Sequence, residues 1–246
     1  SRANMICFYA RLKDAANAHK SIGILVGDFA RENLLSISPA GIAGAPYDIF
    51  IFDGNAAGAA GIGEMTYGAA RGMKDFIMIT LGTGVGSGIV INGQMVYGHD
   101  GFAGELGHTI IRRENGRLCG CGRHGCLETY CSANALEQAA GMNIKDFFSL
   151  LREKKSPQLT QIWKDYLRHL AFAMKNLNLI IDAPIIISGY LAPYFLEDDI
   201  AYLTKHINVS SPFALNKEHI FVGTNGQYTP AIGAALFYVN QFIHAI

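Results

Sequence analysis

Cys119, Cys121, Cys126 and His108 stand close enough in the chain to close one tetrahedral Zn²⁺ site. Zinc favours this sulfur and nitrogen donor set, and four protein ligands leave no open position, so such a site is structural. Two carboxylates flank it, Glu105 in Gly104-Glu105-Leu106-Gly107-His108 and Glu128 in Cys126-Leu127-Glu128. A loop folded around the metal fixes both acceptors although zinc needs neither, which points to a polar ligand. Disulfides are the competing use of the thiols, but cysteines separated by one residue rarely satisfy disulfide geometry with each other. Five cysteines also leave an odd thiol. His124, inside the loop, is the alternative to His108 as fourth ligand. Cys7 and Cys131 are left over and read as buried or idle thiols.

A second candidate is backbone rather than side chain. Gly82-Thr83-Gly84-Val85-Gly86-Ser87-Gly88 lies between the apolar runs 76–81 and 89–94, which predicts a hairpin with a glycine tip. Backbone N–H groups at such a tip can hold phosphate. A third is Asp53, which ends the apolar run 48–52 and is followed by Gly54-Asn55. Its plain use is as N-cap of the next helix.

The elements that must position these groups alternate. Apolar spacing predicts a helix over 6–19, strands over 21–26 and 48–52, and a helix over 56–71 despite its glycines. Beyond the cysteines, Ile162, Tyr166, Leu170, Met174, Leu177 and Ile181 form the packing stripe of a long helix over 160–182. A buried strand over 184–190 and a closing helix over 230–243 complete an α/β order.

With 246 residues, 50% hydrophobic and 16% charged, the chain can bury a large core and is not disordered. Lys+Arg and Asp+Glu are 20 each, so no basic stripe supports nucleic-acid binding by this chain alone. No apolar run approaches the roughly 18 residues of a membrane span. Ser1-Arg2-Ala3-Asn4-Met5 does not read as a signal peptide. Free thiols with zinc suit a reducing cytoplasm.

Taken together, Leu81-Gly82-Thr83-Gly84-Val85-Gly86-Ser87-Gly88, Gly104-Glu105-Leu106-Gly107-His108 and Cys119-Gly120-Cys121-Gly122-Arg123-His124-Gly125-Cys126-Leu127-Glu128 resemble the ROK family of bacterial sugar kinases and sugar-responsive repressors. The resemblance is dense from Asp53 to Ala133. Towards the C-terminus, Ile162-Trp163 and Ser188-Gly189-Tyr190 resemble the regulator branch. It implies an actin-like (ribonuclease H-like), two-lobed sugar-kinase fold with a zinc-stapled loop. A partial N-terminal lobe would span 1–72, completed by the C-terminal helix 230–246, and a larger lobe would span 73–229.

Carried over by motif, the resemblance makes His108, Cys119, Cys121 and Cys126 the zinc ligands. Glu105, His108 and Glu128 would contact sugar hydroxyls, so one His108 ring nitrogen would face the metal and the other the sugar. Gly82, Thr83 and Gly84 match the second phosphate loop, and Gly189 the adenosine-binding turn. The family's base lies in Asn-Asp-Ala-Asn at a strand end. Alignment from upstream makes Asp53 the base and Asn55 its sugar-binding neighbour, whereas alignment back from Glu64-Met65 puts Ala56 at the base position.

The family's first phosphate loop, Asp-x-Gly-Gly-Thr, does not occur in these residues. The front of the fold therefore reads as missing or diverged. The implied activity is ATP- and Mg²⁺-dependent phosphorylation of a hexose, glucose or an N-acetylhexosamine, by a homodimer or homotetramer. The alternative is a sugar-binding regulator without its DNA-binding segment.

Overall fold

The computed structural model describes residues 21–27, 47–53, 56–154, 156–209 and 211–224, together with 226, 229, 232, 233 and 236. Strands β1 (Ser21–Gly27) and β2 (Tyr47–Asp53) pair in parallel, with Asp53 opposite Gly27 at the end of the ladder. Helix α1 (Ala56–Tyr67) follows. A second sheet contains β3 (Phe76–Leu81), β4 (Val85–Ile91), β5 (Gln94–Met95), β6 (Ile185–Ser188) and β7 (Ile220–Val222). Its order is β5-β4-β3-β6-β7; β3, β4 and β5 run antiparallel, and β6 and β7 join β3 in parallel.

The central strand β3 is apolar without alternation because both of its faces are covered. Ile77, Ile79 and Leu81 pack with Ile185 and Ile187 and with Leu167, Leu170 and Met174 of α5 (Pro157–Ile180). Phe76 and Met78 pack on the opposite face with Val90, Ile186 and Ala60 of α1. Between the sheet's third and fourth strands in chain order lie α2 (Glu128–Cys131), α3 (Ala133–Ala140), α4 (Ile144–Lys154) and α5. Helix α6 (Glu197–Asn208) packs on α5.

The differences from sequence expectation have local causes. Helix α1 stops at Tyr67 rather than at 71 because the Glu64 carboxylate turns back to accept the Ala69 N–H at 2.8 Å. That carboxylate is fully buried and also accepts the Ser188 hydroxyl at 3.1 Å and the Thr229 hydroxyl at 3.4 Å. Helix α5 begins at Pro157, three residues before the expected start at 160, because Ser156 caps the Leu159 N–H and Pro157 suits the first turn. The glycine tip narrows to 82–84, since residues 85–88 already pair with β3. The strand expected over 184–190 is confined to Ile185–Ser188. Of the closing helix expected over 230–243, residues 232, 233 and 236 are helical and the rest lie outside the described residues, as does the helix expected over 6–19.

One polar knot in the helical layer had no sequence signal. Asp199, almost fully buried, accepts the Trp163 indole N–H at 2.8 Å and the Leu196 N–H at 2.9 Å and pairs with Arg152. It thus joins α4, α5 and the N-terminus of α6. Removing Asp199 leaves the buried Trp163 indole N–H unpaired, at a cost of about 1–3 kcal/mol. Asp199→Ala is expected to lower unfolding stability in urea by that amount. An unchanged midpoint would show that the knot contributes nothing.

Candidate functional site

The site begins where β3 ends. The turn Gly82–Gly84 leads into β4, with Gly82 N–H bonded to Gly84 O at 3.0 Å and Gly82 O accepting the Ala133 N–H at 2.7 Å. The neighbouring parallel strand β6 ends in the same direction, with Thr80 opposite Ser188. Gly189 then turns with φ 88°, and a Cβ there would lie 2.9 Å from the Leu81 N and O atoms. Only glycine fits that backbone approach. The two glycine turns therefore sit side by side at the carboxyl ends of paired parallel strands, the usual ligand-facing edge of α/β sheets.

The Gly104–His108 motif is pressed onto the first residues of β4. Ser87 donates its N–H to Gly104 O at 3.1 Å and its hydroxyl to the same oxygen at 2.7 Å. Gly104 has φ 87°, and a Cβ on it would overlap Ser87 O. Gly107 lies equally close to Val85 O, with no room for a side chain. These two glycines are thus required by close backbone packing. Residues Leu106–His108 then form one turn of 3₁₀ helix with Glu105, which is exposed, just before it.

The cysteine loop folds back by two isolated bridges, Ile110 with Cys126 and Leu118 with His124. Gly122 N–H bonds Cys119 O at 2.9 Å and Cys119 N–H bonds Arg123 O at 2.8 Å, which tightens the turn between the thiols. His108, Cys119, Cys121 and Cys126 offer ligand atoms that all lie within 4.8 Å of one another. The Cys121 and Cys126 sulfurs are 3.7 Å apart, and the His108 Nδ1 is 3.7 Å from the Cys119 sulfur. Two Zn–S bonds of about 2.3 Å at a tetrahedral angle span about 3.8 Å between sulfurs, so the residues present fit such an ion. All four described cysteines are free thiols. His124 does not join them: its Nδ1 sits 3.0 Å from Gly116 O.

The thiols are unequal. The Arg123 backbone N–H first, and its guanidinium second, pull the Cys121 thiol down to about 6. Burial, with the two neighbouring thiols, pushes Cys126 up to about 12. Cys131 lies outside the cluster, fully buried against Tyr166 O at 3.7 Å, and burial raises its thiol. Cys7 lies outside the described residues.

Glu128 is the joint of the site. Its Oε1 is 3.9 Å from the Cys119 sulfur and its Oε2 accepts the Val85 N–H at 3.0 Å. His108 and Glu128 are therefore brought to the same sulfur, beside the glycine turn. Asp53 is placed by its backbone at the end of β2, and Asn55 lies outside the described residues. Ala56, the other candidate for the base position, opens α1. Sequence reasoning did not single out the β4 backbone at Val85 and Ser87 or the buried Glu64. The signal for Glu64 was available, since it is the only charged residue in Ala56–Tyr67.

A family model for the ROK family matches residues 45–241. The chain belongs to the ROK family. This ROK chain is similar to the glucokinase of Halalkalibacterium halodurans, 38% identical over 169 residues that make up 69% of this chain and 47% of that enzyme. It is also similar to the xylose repressor of Bacillus subtilis, 41% identical over 90 residues, 37% of this chain and 23% of the repressor. The chain thus spans less than half the length of these curated relatives. Among solved structures, a ROK family glucokinase from Streptomyces griseus in complex with glucose and AMPPNP matches with a TM-score of 0.68 at 25% identity, covering 80% of this chain and 70% of that one. The fold is accordingly the actin-like sugar-kinase fold of the ROK proteins, a mixed α/β architecture.

Proposed function

We propose that this protein is an ATP-dependent sugar kinase that phosphorylates a hexose, glucose or an N-acetylhexosamine. The observation that carries this reading is the junction of His108 and Glu128 at one cysteine sulfur, directly behind the Gly82–Gly84 turn. A polar site for a hydroxylated ligand thereby adjoins a backbone turn suited to phosphate. The glucokinase relative and the glucokinase structure holding glucose and AMPPNP support the same assignment.

In this reading Glu105, Glu128 and the outer ring nitrogen of His108 accept or donate to sugar hydroxyls, and Asn55 is assigned to the sugar by its motif position. Asp53, at the carboxyl end of β2, accepts the proton of the attacking hydroxyl. Gly82, Thr83 and Gly84 hold ATP phosphates and Gly189 opens the turn for the adenosine. Mg²⁺ would accompany the phosphates and neutralise their charge. Phosphoryl transfer gains mostly from positioning and electrostatics, so a rigid arrangement of these groups is the main requirement. Zn²⁺ on His108, Cys119, Cys121 and Cys126 would be structural, fixing the ring orientation of His108.

The second reading is a sugar-binding regulator that does not turn over ATP. The similarity to the xylose repressor favours it.

Sugar-dependent ADP release with Mg²⁺ separates the two. Turnover on a hexose is expected; sugar binding without turnover would establish the regulator reading instead. Asp53→Asn is expected to lower kcat by about 10²–10⁴, the usual contribution of a positioned base, while sugar affinity changes little. An unchanged rate would transfer the base position away from Asp53. Metal analysis of the purified protein is expected to find about one zinc per chain, the content of a single closed four-ligand site. A zinc-free protein with full sugar affinity would refute the structural role.

A further inference from the structure

We propose that Glu128 couples the sugar site to the phosphate turn, so that sugar and nucleotide each tighten the binding of the other. The inference rests on the kinase reading above and adds a residue and a direction to it. The two oxygens of Glu128 face different neighbours. Oε2 accepts the N–H of Val85, the residue that follows the Gly82–Gly84 turn. Oε1 lies on the side of the Cys119 sulfur, to which His108 also points its Nδ1. A sugar hydroxyl donating to Oε1 fixes the carboxylate, and the fixed carboxylate holds the Val85 N–H and the turn before it. Nucleotide that orders the turn holds Oε2 in place and with it the orientation of Oε1. Linkage requires the two effects to be equal.

Gly84 makes the coupling accessible to experiment. Its φ is not positive, so alanine is permitted by the backbone there. An added Cβ would meet only one neighbour within van der Waals range, the Glu128 carboxyl group, and would overlap its Oε2. Because that group is the end of a side chain, it is expected to move aside while the surrounding backbone stays. Substitution of Gly84 therefore displaces Glu128.

The experiment is calorimetric titration with glucose, N-acetylglucosamine and N-acetylmannosamine, without nucleotide and with AMPPNP present. For the wild-type protein, AMPPNP is expected to lower the sugar Kd, and sugar to lower the AMPPNP Kd by the same factor. Gly84→Ala is expected to raise the sugar Kd about tenfold with no nucleotide present, the effect of losing one hydrogen bond to a charged group, and to abolish the mutual tightening.

Thermal melting checks that the variant is folded. If Gly84→Ala fails to fold, the wild-type titration alone decides, since independent binding of sugar and AMPPNP overturns the proposal. A folded Gly84→Ala with wild-type sugar affinity also overturns it and leaves the kinase reading standing. A wild-type protein that binds none of the three sugars defeats the kinase reading and this inference with it.

Discussion

The backbone of β4 at Val85 and Ser87 is shared by two functional segments, and the rest of the site depends on that sharing. On one side β4 continues from the glycine turn at 82–84. On its flank it receives Gly104 and Gly107, whose missing side chains let their backbone lie against Ser87 O and Val85 O. A methyl group on either glycine would separate the motif from the strand. The motif carries Glu105 and His108, and so the groups proposed to face the sugar are referenced to the same strand as the turn proposed to hold phosphate.

The cysteine loop then closes the arrangement from outside. It has little apolar packing of its own: Cys121, Arg123 and His124 are exposed, and Leu118 is 66% exposed. Individual hydrogen bonds of the kind that shape its turn contribute about 0.5–1.5 kcal/mol each. Binding of a structural zinc by a short thiolate and imidazole site supplies about 10–16 kcal/mol at neutral pH in small zinc peptides. On that comparison, a metal on the Cys₃His cluster would supply most of the loop's rigidity. The helical layer differs, since α4, α5 and α6 are held by a large apolar core and by the Asp199 knot. Disturbance of the loop is therefore expected to remain local.

Much of the site was legible because it is local in sequence. The spacing of Cys119, Cys121 and Cys126 limits what the thiols can do, and Leu81–Gly88 announces a backbone turn between strands. Spacing favoured His108 and kept His124, within the tight turn the cysteines must make, as the alternative. The structure decides it through the bridge of Leu118 with His124, which turns His124 to Gly116 O. The end of α1 was not legible because Glu64 captures Ala69 with a side chain that the helical pattern treats as any other residue. Asp199 escaped for a different reason: its partners Trp163 and Arg152 are 36 and 47 residues away. The burial of Gly104 and Gly107 against β4 is likewise a contact across sequence, visible beforehand only as an unexplained pair of glycines.

Amide hydrogen exchange with and without bound metal tests the shared backing most directly. Removal of the metal by a chelator is expected to deprotect residues 104–128 and, together with them, the Val85 and Ser87 amides, while α5 and β6 keep their protection. If Val85 and Ser87 remain protected while residues 104–128 open, the Gly104–His108 motif and the Gly82–Gly84 turn are separate bodies and the account is wrong.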